Sequence, residues 1–245
     1  MTAENVSSPK SIAHRTVDEL GGEASLFVRQ RREHARLDEL LHQVHSTRDE
    51  EQQAVLTETA RLVFPHAFAE EAVIWPLVRR LLPNGGDLTV QVEQEHQQIN
   101  ELWSDLERCP IDDPGRPELL ERITALLRED VRDEEDELLP QLCDRMSAAQ
   151  ARIAGHSWAL VRHTAPTRPH AVVARRPPGN MLAALPLTIL DRARDNADHL
   201  ARSGGSASEP AKRVSAGLAT LAGHVEHAPG MRRGETDSTR TDRPV

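Results

Sequence analysis

Tyrosine is absent from this chain, and phenylalanine and tryptophan number three each. So few aromatics, with Val and Ile sparse beside Leu, Ala, Glu and Arg, disfavour a sheet and favour helices. No run of about 18 apolar residues occurs, which excludes a transmembrane helix. Met1 to Lys10 is polar and lacks the apolar stretch of a secretory signal. Cys109 and Cys143 are the only cysteines and form no CxxC pattern, so a reduced, cytoplasmic setting is expected. No nucleophilic triad, phosphate-cradling glycine loop or zinc-finger spacing is present. Acid is abundant and unevenly placed. Residues 1–148 hold 16 Lys/Arg against 31 Asp/Glu, while residues 149–245 hold 14 against 8. The first part would repel nucleic acid, so neither a nucleic-acid nor a membrane partner is expected.

Apolar residues return at helical spacing in four stretches: about Val17–Ser46, Arg48–Leu82, Leu88–Arg108 and Glu118–Ser147. Short Pro, Gly and Asp connections join them. This pattern predicts an all-α protein, an up-down-up-down antiparallel four-helix bundle. Pro65 is expected to kink the second helix, and Pro76 to break its end. The expected organisation is a flexible lead over 1–16, the bundle over 17–148, an extension over 149–201 and a mostly flexible tail over 202–245. The extension reads as a Pro- and Arg-rich linker from Ala165 to Asn180, then a helix from Met181 to Ala201. Its Leu185, Ile189 and Ala193 are expected to pack on the outside of the bundle. Lys212 to Val225 reads as a weak Ala-rich helix, and Gly230 to Val245 as disordered.

Two stretches share one layout. In His66-Ala67-Phe68-Ala69-Glu70-Glu71 and Asp130-Val131-Arg132-Asp133-Glu134-Glu135, a metal-capable residue precedes Glu-Glu by four positions, and Pro76 or Pro140 follows. Residues four apart on a helix lie about 40° apart on one face, so each pair can hold one ion jointly. His34 and His96 fall on the apolar stripes of the other two helices. Burying so many titratable groups costs several kcal/mol per ion unless they are compensated. Three imidazoles and three carboxylates converging in one interior balance best around one or two divalent cations, with iron, manganese or zinc the suitable metals. Glu71 and Glu135 point about 100° from their neighbours and read as solvated charges, with support of a ligand as the alternative. His45 is a reserve ligand. His42, His156, His163, His170, His199, His224 and His227 have no comparable partners. Arg168 to Arg176 reads as a solvated linker or one clamped to the acidic bundle.

This arrangement resembles the hemerythrin-like (HHE cation-binding) domain: a His in helix one, His-x-x-x-Glu-Glu in helix two, Glu-His in helix three and x-x-x-Glu-Glu-x-x-Leu-Leu-Pro in helix four. The tail, with Arg168-Pro169-His170 and Arg175-Arg176-Pro177-Pro178, resembles an extension on actinobacterial members. The resemblance covers about residues 15–146 and implies a non-haem di-iron site. His34, His66 and Glu70 would serve mainly one iron, and His96, Asp130 and Glu134 the other, with Glu70 and Glu134 bridging. Asp130 stands where the family motif has histidine, which makes the shell more anionic and reversible oxygen carriage a poorer fit. The implied role is binding or sensing of oxygen, peroxide or nitric oxide, or iron handling. The alternatives are a di-iron enzyme that decomposes peroxide or activates oxygen, and a metal-free helical interaction module.

Overall fold

A computed structural model describes residues 10–241; residues 1–9 of the expected flexible lead and residues 242–245 of the expected disordered tail lie outside the described residues. The described chain is helical, with no strand among the described residues. Its elements are α1 (Leu26–Ser46), α2 (Asp49–Ala69), α3 (Trp75–Leu81), α4 (Gly85–Arg108), α5 (Arg116–Asp133), α6 (Leu139–Cys143), α7 (Ala148–His163), α8 (Gly179–Arg202) and α9 (Ser208–Glu226). No helix among the described residues is long and apolar enough to cross a membrane.

α1, the α2–α3 rod, α4 and the α5–α6 rod form the up-down-up-down bundle. Its first helix begins at Leu26, later than the apolar stripe suggests. Gly21 and Gly22 both take positive φ and turn the chain, and the Ser25 side chain then accepts the Val28 N–H as an N-cap. Pro65 does not end α2, which runs through it to Ala69. Two wider turns come later. Glu70–Ile74 and Glu134–Leu138 are π-helical turns, in which the Trp75 and Leu139 N–H groups reach back five residues to the Glu70 and Glu134 carbonyls. Pro76 and Pro140 follow directly. A proline ring collides with the carbonyl four residues back in a regular helix, and a widened turn relieves that collision. Such turns are frequent at functional sites.

Two apolar clusters fill the bundle. One gathers Leu26, Phe27, Ile74, Trp75, Val78, Leu139 and Trp158. The other gathers Leu41, Phe64, Ile99, Trp103, Ile123 and Leu127, with Phe64 edge-on to Trp103 at 5.5 Å. Each fully buried side chain of this size contributes about 1.5–3 kcal/mol, which holds the ends of the bundle shut around a polar middle.

The extension is packed to the bundle. α7, which hydrophobic periodicity did not disclose, lies against α1 and α2. It is started by a capping box of Ser147 and Gln150. Its buried face carries only Ala151, Ala154, Gly155 and Trp158, too little apolar volume to register as a stripe. The expected solvated linker is buried at Ala165, Thr167, Arg168, His170, Val172, Val173, Ala174 and Arg175. The clamped reading is the one observed: Arg176 pairs with Glu93 at 2.6 Å, Arg168 with Glu107 at 3.1 Å. α8 and α9 pack on each other around Ala183, Leu187 and Ala222. Leu185 and Ile189, expected on the packed side, are exposed; Ala183 and Leu187 point inward instead. Met231 and Arg233 accept backbone hydrogen bonds from Ala174 and Gly179, tying the segment after α9 to the start of α8.

Candidate metal centre

The six residues singled out by spacing meet in the middle of the bundle, and all six are buried. His34 comes from α1, His66 from the end of α2, His96 from α4 and Asp130 from the end of α5. Glu70 and Glu134 open the two π turns. Two groups have ligating atoms within 4.8 Å of one another: His34, His66, Glu70 and Glu134, and His96, Asp130 and Glu134. His34 Nε2 lies 3.2 Å from His66 Nε2 and 3.3 Å from Glu134 Oε2. His66 Nε2 is 2.8 Å from Glu70 Oε1. His96 Nε2 is 3.6 Å from Asp130 Oδ1, 3.7 Å from Glu70 Oε2 and 4.0 Å from Glu134 Oε1. Glu70 thus offers one oxygen to each half, and Glu134 belongs to both groups. His45 is exposed near the far end of α1 and takes no part.

Several carboxylate oxygens of the cluster are among the buried polar atoms that lack a partner. Both carboxylate oxygens of Glu70, Oδ1 of Asp130 and Oε1 of Glu134 are buried without a well-directed hydrogen bond; the 2.8 Å contact of Glu70 Oε1 with His66 Nε2 is close but not aligned as one. Buried polar groups are nearly always satisfied, since an unsatisfied one costs about 1–3 kcal/mol. Four such oxygens facing three imidazole nitrogens fit a cation-binding donor set.

Behind the imidazoles stands a second set of carboxylates. His34 Nδ1 bonds Glu135 at 2.8 Å, His66 Nδ1 bonds Glu33 at 3.0 Å and His96 Nδ1 bonds Glu71 at 3.1 Å. A carboxylate on Nδ1 orients the ring and leaves Nε2 to the metal. The solvated reading of Glu71 and Glu135 is therefore corrected: Glu71 is 2% exposed, and Glu135 is only half-buried. Glu33 was missed outright. A signal existed, because Glu33-His34, Glu70-Glu71 and Glu134-Glu135 are all doublets. One member faces the centre while the other, about 100° round the helix, meets a histidine of another rod. The doublet is not decisive alone, since Glu95 beside His96 bonds Gln91 instead.

The electrostatics follow from crowding. Burial depresses His34, but bonds from Glu134 and Glu135 outweigh it and push the imidazole up to about 9. His96 rises to about 10, as the charge of Asp130 and the bond from Glu71 overcome burial. His66 is raised well above its ordinary value against burial by Glu70 and Glu33. Burial and neighbouring carboxylates raise Glu70 and Asp130. Glu134 is lowered, because His34 outweighs its burial.

A cavity borders the cluster, lined by His34, His66, Glu70, His96 and Asp130 together with Leu37, Leu62, Val63, Phe64 and Leu127. Fold and site together define a helical-bundle protein with a buried candidate cation site of histidines and carboxylates. Residues 26–142 match the family model described as the hemerythrin HHE cation binding domain. Searches of curated proteins and of solved structures returned no match.

Proposed function

We propose that this chain holds two iron cations in the bundle core and uses them to bind or sense a small ligand such as oxygen, peroxide or nitric oxide. In this reading His34, His66 and Glu70 would hold mainly one cation and His96 and Asp130 mainly the other, with Glu70 and Glu134 within reach of both. The supporting observation is the convergence of four buried oxygens without well-directed hydrogen bonds on three imidazole Nε2 atoms. Mixed imidazole and carboxylate donors suit iron, and the matched domain is a cation-binding one. When bound, iron would supply a redox-active Lewis acid. The chain's own residues set what reaches it. Leu37, Val63, Phe64 and Leu127 add apolar surface to the cavity beside the cluster, which Glu33 and Asn100 also line. Glu33, Glu71 and Glu135 hold the imidazole rings in place.

The test is metal analysis after anaerobic reconstitution with ferrous iron. Wild type is expected to retain iron in stoichiometric amounts, while Glu70→Gln and His66→Ala each lose it. Iron-free wild type after reconstitution would sink the reading, and iron retained in both variants would move the site elsewhere. A second reading, a peroxide-decomposing enzyme, is favoured by the three carboxylates in the cluster. Steady peroxide turnover that disappears in Glu134→Gln would select it.

A further inference from the structure

Two arginines outside the matched domain stand at the ends of the histidine–carboxylate pairs. Arg162, on α7, donates from Nε to Glu33 Oε2 at 2.7 Å, and the same oxygen lies 3.0 Å from His66 Nδ1. Arg175, in the packed linker, places Nη1 3.7 Å from Glu71 Oε1, which lies 3.1 Å from His96 Nδ1. The domain match ends at residue 142, so both guanidiniums belong to the extension. One serves a histidine in each half of the cluster. Among the described residues no arginine bonds Glu135 behind His34, which sets that pair apart.

Neither arginine is a free surface arm. The Arg162 guanidinium sits 5.8 Å from the centroid of the Trp158 ring, one turn earlier on α7. Trp158 packs edge-on to His66 at 5.4 Å. Arg175 is buried, and its Nη2 donates to the carbonyls of His170 at 2.7 Å and Val173 at 3.2 Å. These bonds fix where each guanidinium points.

We infer that Arg162 and Arg175 are positioning residues for the metal centre, each holding the carboxylate that orients one histidine. The inference rests on the metal reading above. An imidazole that gives Nε2 to a metal keeps its proton on Nδ1, and an acceptor there fixes tautomer and ring angle. Glu33 and Glu71 are such acceptors, but each stands in an acid-rich interior where a carboxylate without a cation is costly. A planar, permanently charged guanidinium supplies that cation and constrains direction better than lysine. The extension thereby completes the surroundings of His66 and His96 from outside the domain.

The test uses the full-length chain, metal-depleted and titrated anaerobically with ferrous iron by calorimetry, and with cobalt(II) to read coordination by absorption. In Arg162→Met and in Arg175→Met, one binding event is expected to weaken by about tenfold, within the 10- to 100-fold cost of losing the histidine's carboxylate partner itself. The cobalt spectrum should shift, and the other event should persist. Glu33→Gln combined with Arg162→Met should be no weaker than Glu33→Gln alone. Arg176→Met removes a clamp onto Glu93, which bonds no residue of the cluster; it should leave both events unchanged. Should a Met variant not fold, the Lys variant replaces it, with a weakening of about tenfold expected. Wild-type binding that is unaltered in the Arg162 and Arg175 variants overturns the inference and leaves the metal reading standing. Equal weakening in Arg176→Met also overturns it, since the arginines would then act only as anchors. No binding by wild type overturns both.

Discussion

Asp130 carries the strongest single-residue consequence. It occupies the position where the resembled motif has histidine, and it lies 3.6 Å from His96 Nε2. An anionic oxygen donor favours ferric over ferrous iron relative to a neutral imidazole. On the proposed reading, Asp130→His raises the reduction potential of the bound iron, measurable by anaerobic redox titration; an unchanged or lower potential would contradict the role given to Asp130. The residue scale is also where the sequence was most and least legible. His34, His66, Glu70, His96, Asp130 and Glu134 could be read because each sits on an apolar stripe where a polar group needs a reason. Glu33, Glu71 and Glu135 sit off those stripes, and only the packing of neighbouring rods shows that their direction is inward. His170, read as lacking partners, bonds Asp191 at 3.0 Å and Glu226 at 2.8 Å. Those acids are 21 and 56 residues away along the chain, beyond what local spacing registers.

Among the elements, the four bundle helices were legible from periodicity; the first π turn was announced only as the break at Pro76, and the second, inside the stretch read as one helix to Ser147, not at all. α7 was not legible, because it docks through closeness rather than apolar bulk. A Cβ at Gly155 would stand 2.4 Å from the Ala24 carbonyl oxygen and 2.8 Å from the Leu26 nitrogen. Gly155→Ala must push α7 away from the start of α1, a backbone clash expected to cost about 1–3 kcal/mol. Chemical denaturation checks this; stability equal to wild type would mean α7 is not seated so closely. The linker is held by charge. His170 is pushed up to about 10, since the charge of Asp191 and the bonds from Asp191 and Glu226 outweigh burial. Arg168 lies close enough to lower Asp191 further. The protonated form is the stabilising one. Its contribution is full below the unfolded value of about 6.5 and is lost as pH rises through about 10. The stability difference between wild type and His170→Gln should therefore shrink as pH is raised across that window. A difference that grows with pH would contradict the clamp.

For the whole molecule, the acidic bundle and the more basic extension are complementary. The extension's arginines meet bundle acids at Glu33, Glu71, Glu93 and Glu107, so the charge asymmetry seen along the chain is resolved within it. A cation bound only by the folded state must raise stability, by about 2.7 kcal/mol at a concentration 100-fold above Kd. Thermal unfolding with and without ferrous iron should show that rise and its reversal by chelator; a curve indifferent to both would mark a metal-free module. The most direct measurement is anomalous scattering at the iron edge from crystals of reconstituted protein. Two peaks are expected in the bundle core about 3.5–4 Å apart, one beside His34 and His66 and one beside His96 and Asp130, with Glu70 and Glu134 reaching both. Reconstituted crystals with no peak among these residues, or with iron only at the surface, would contradict it.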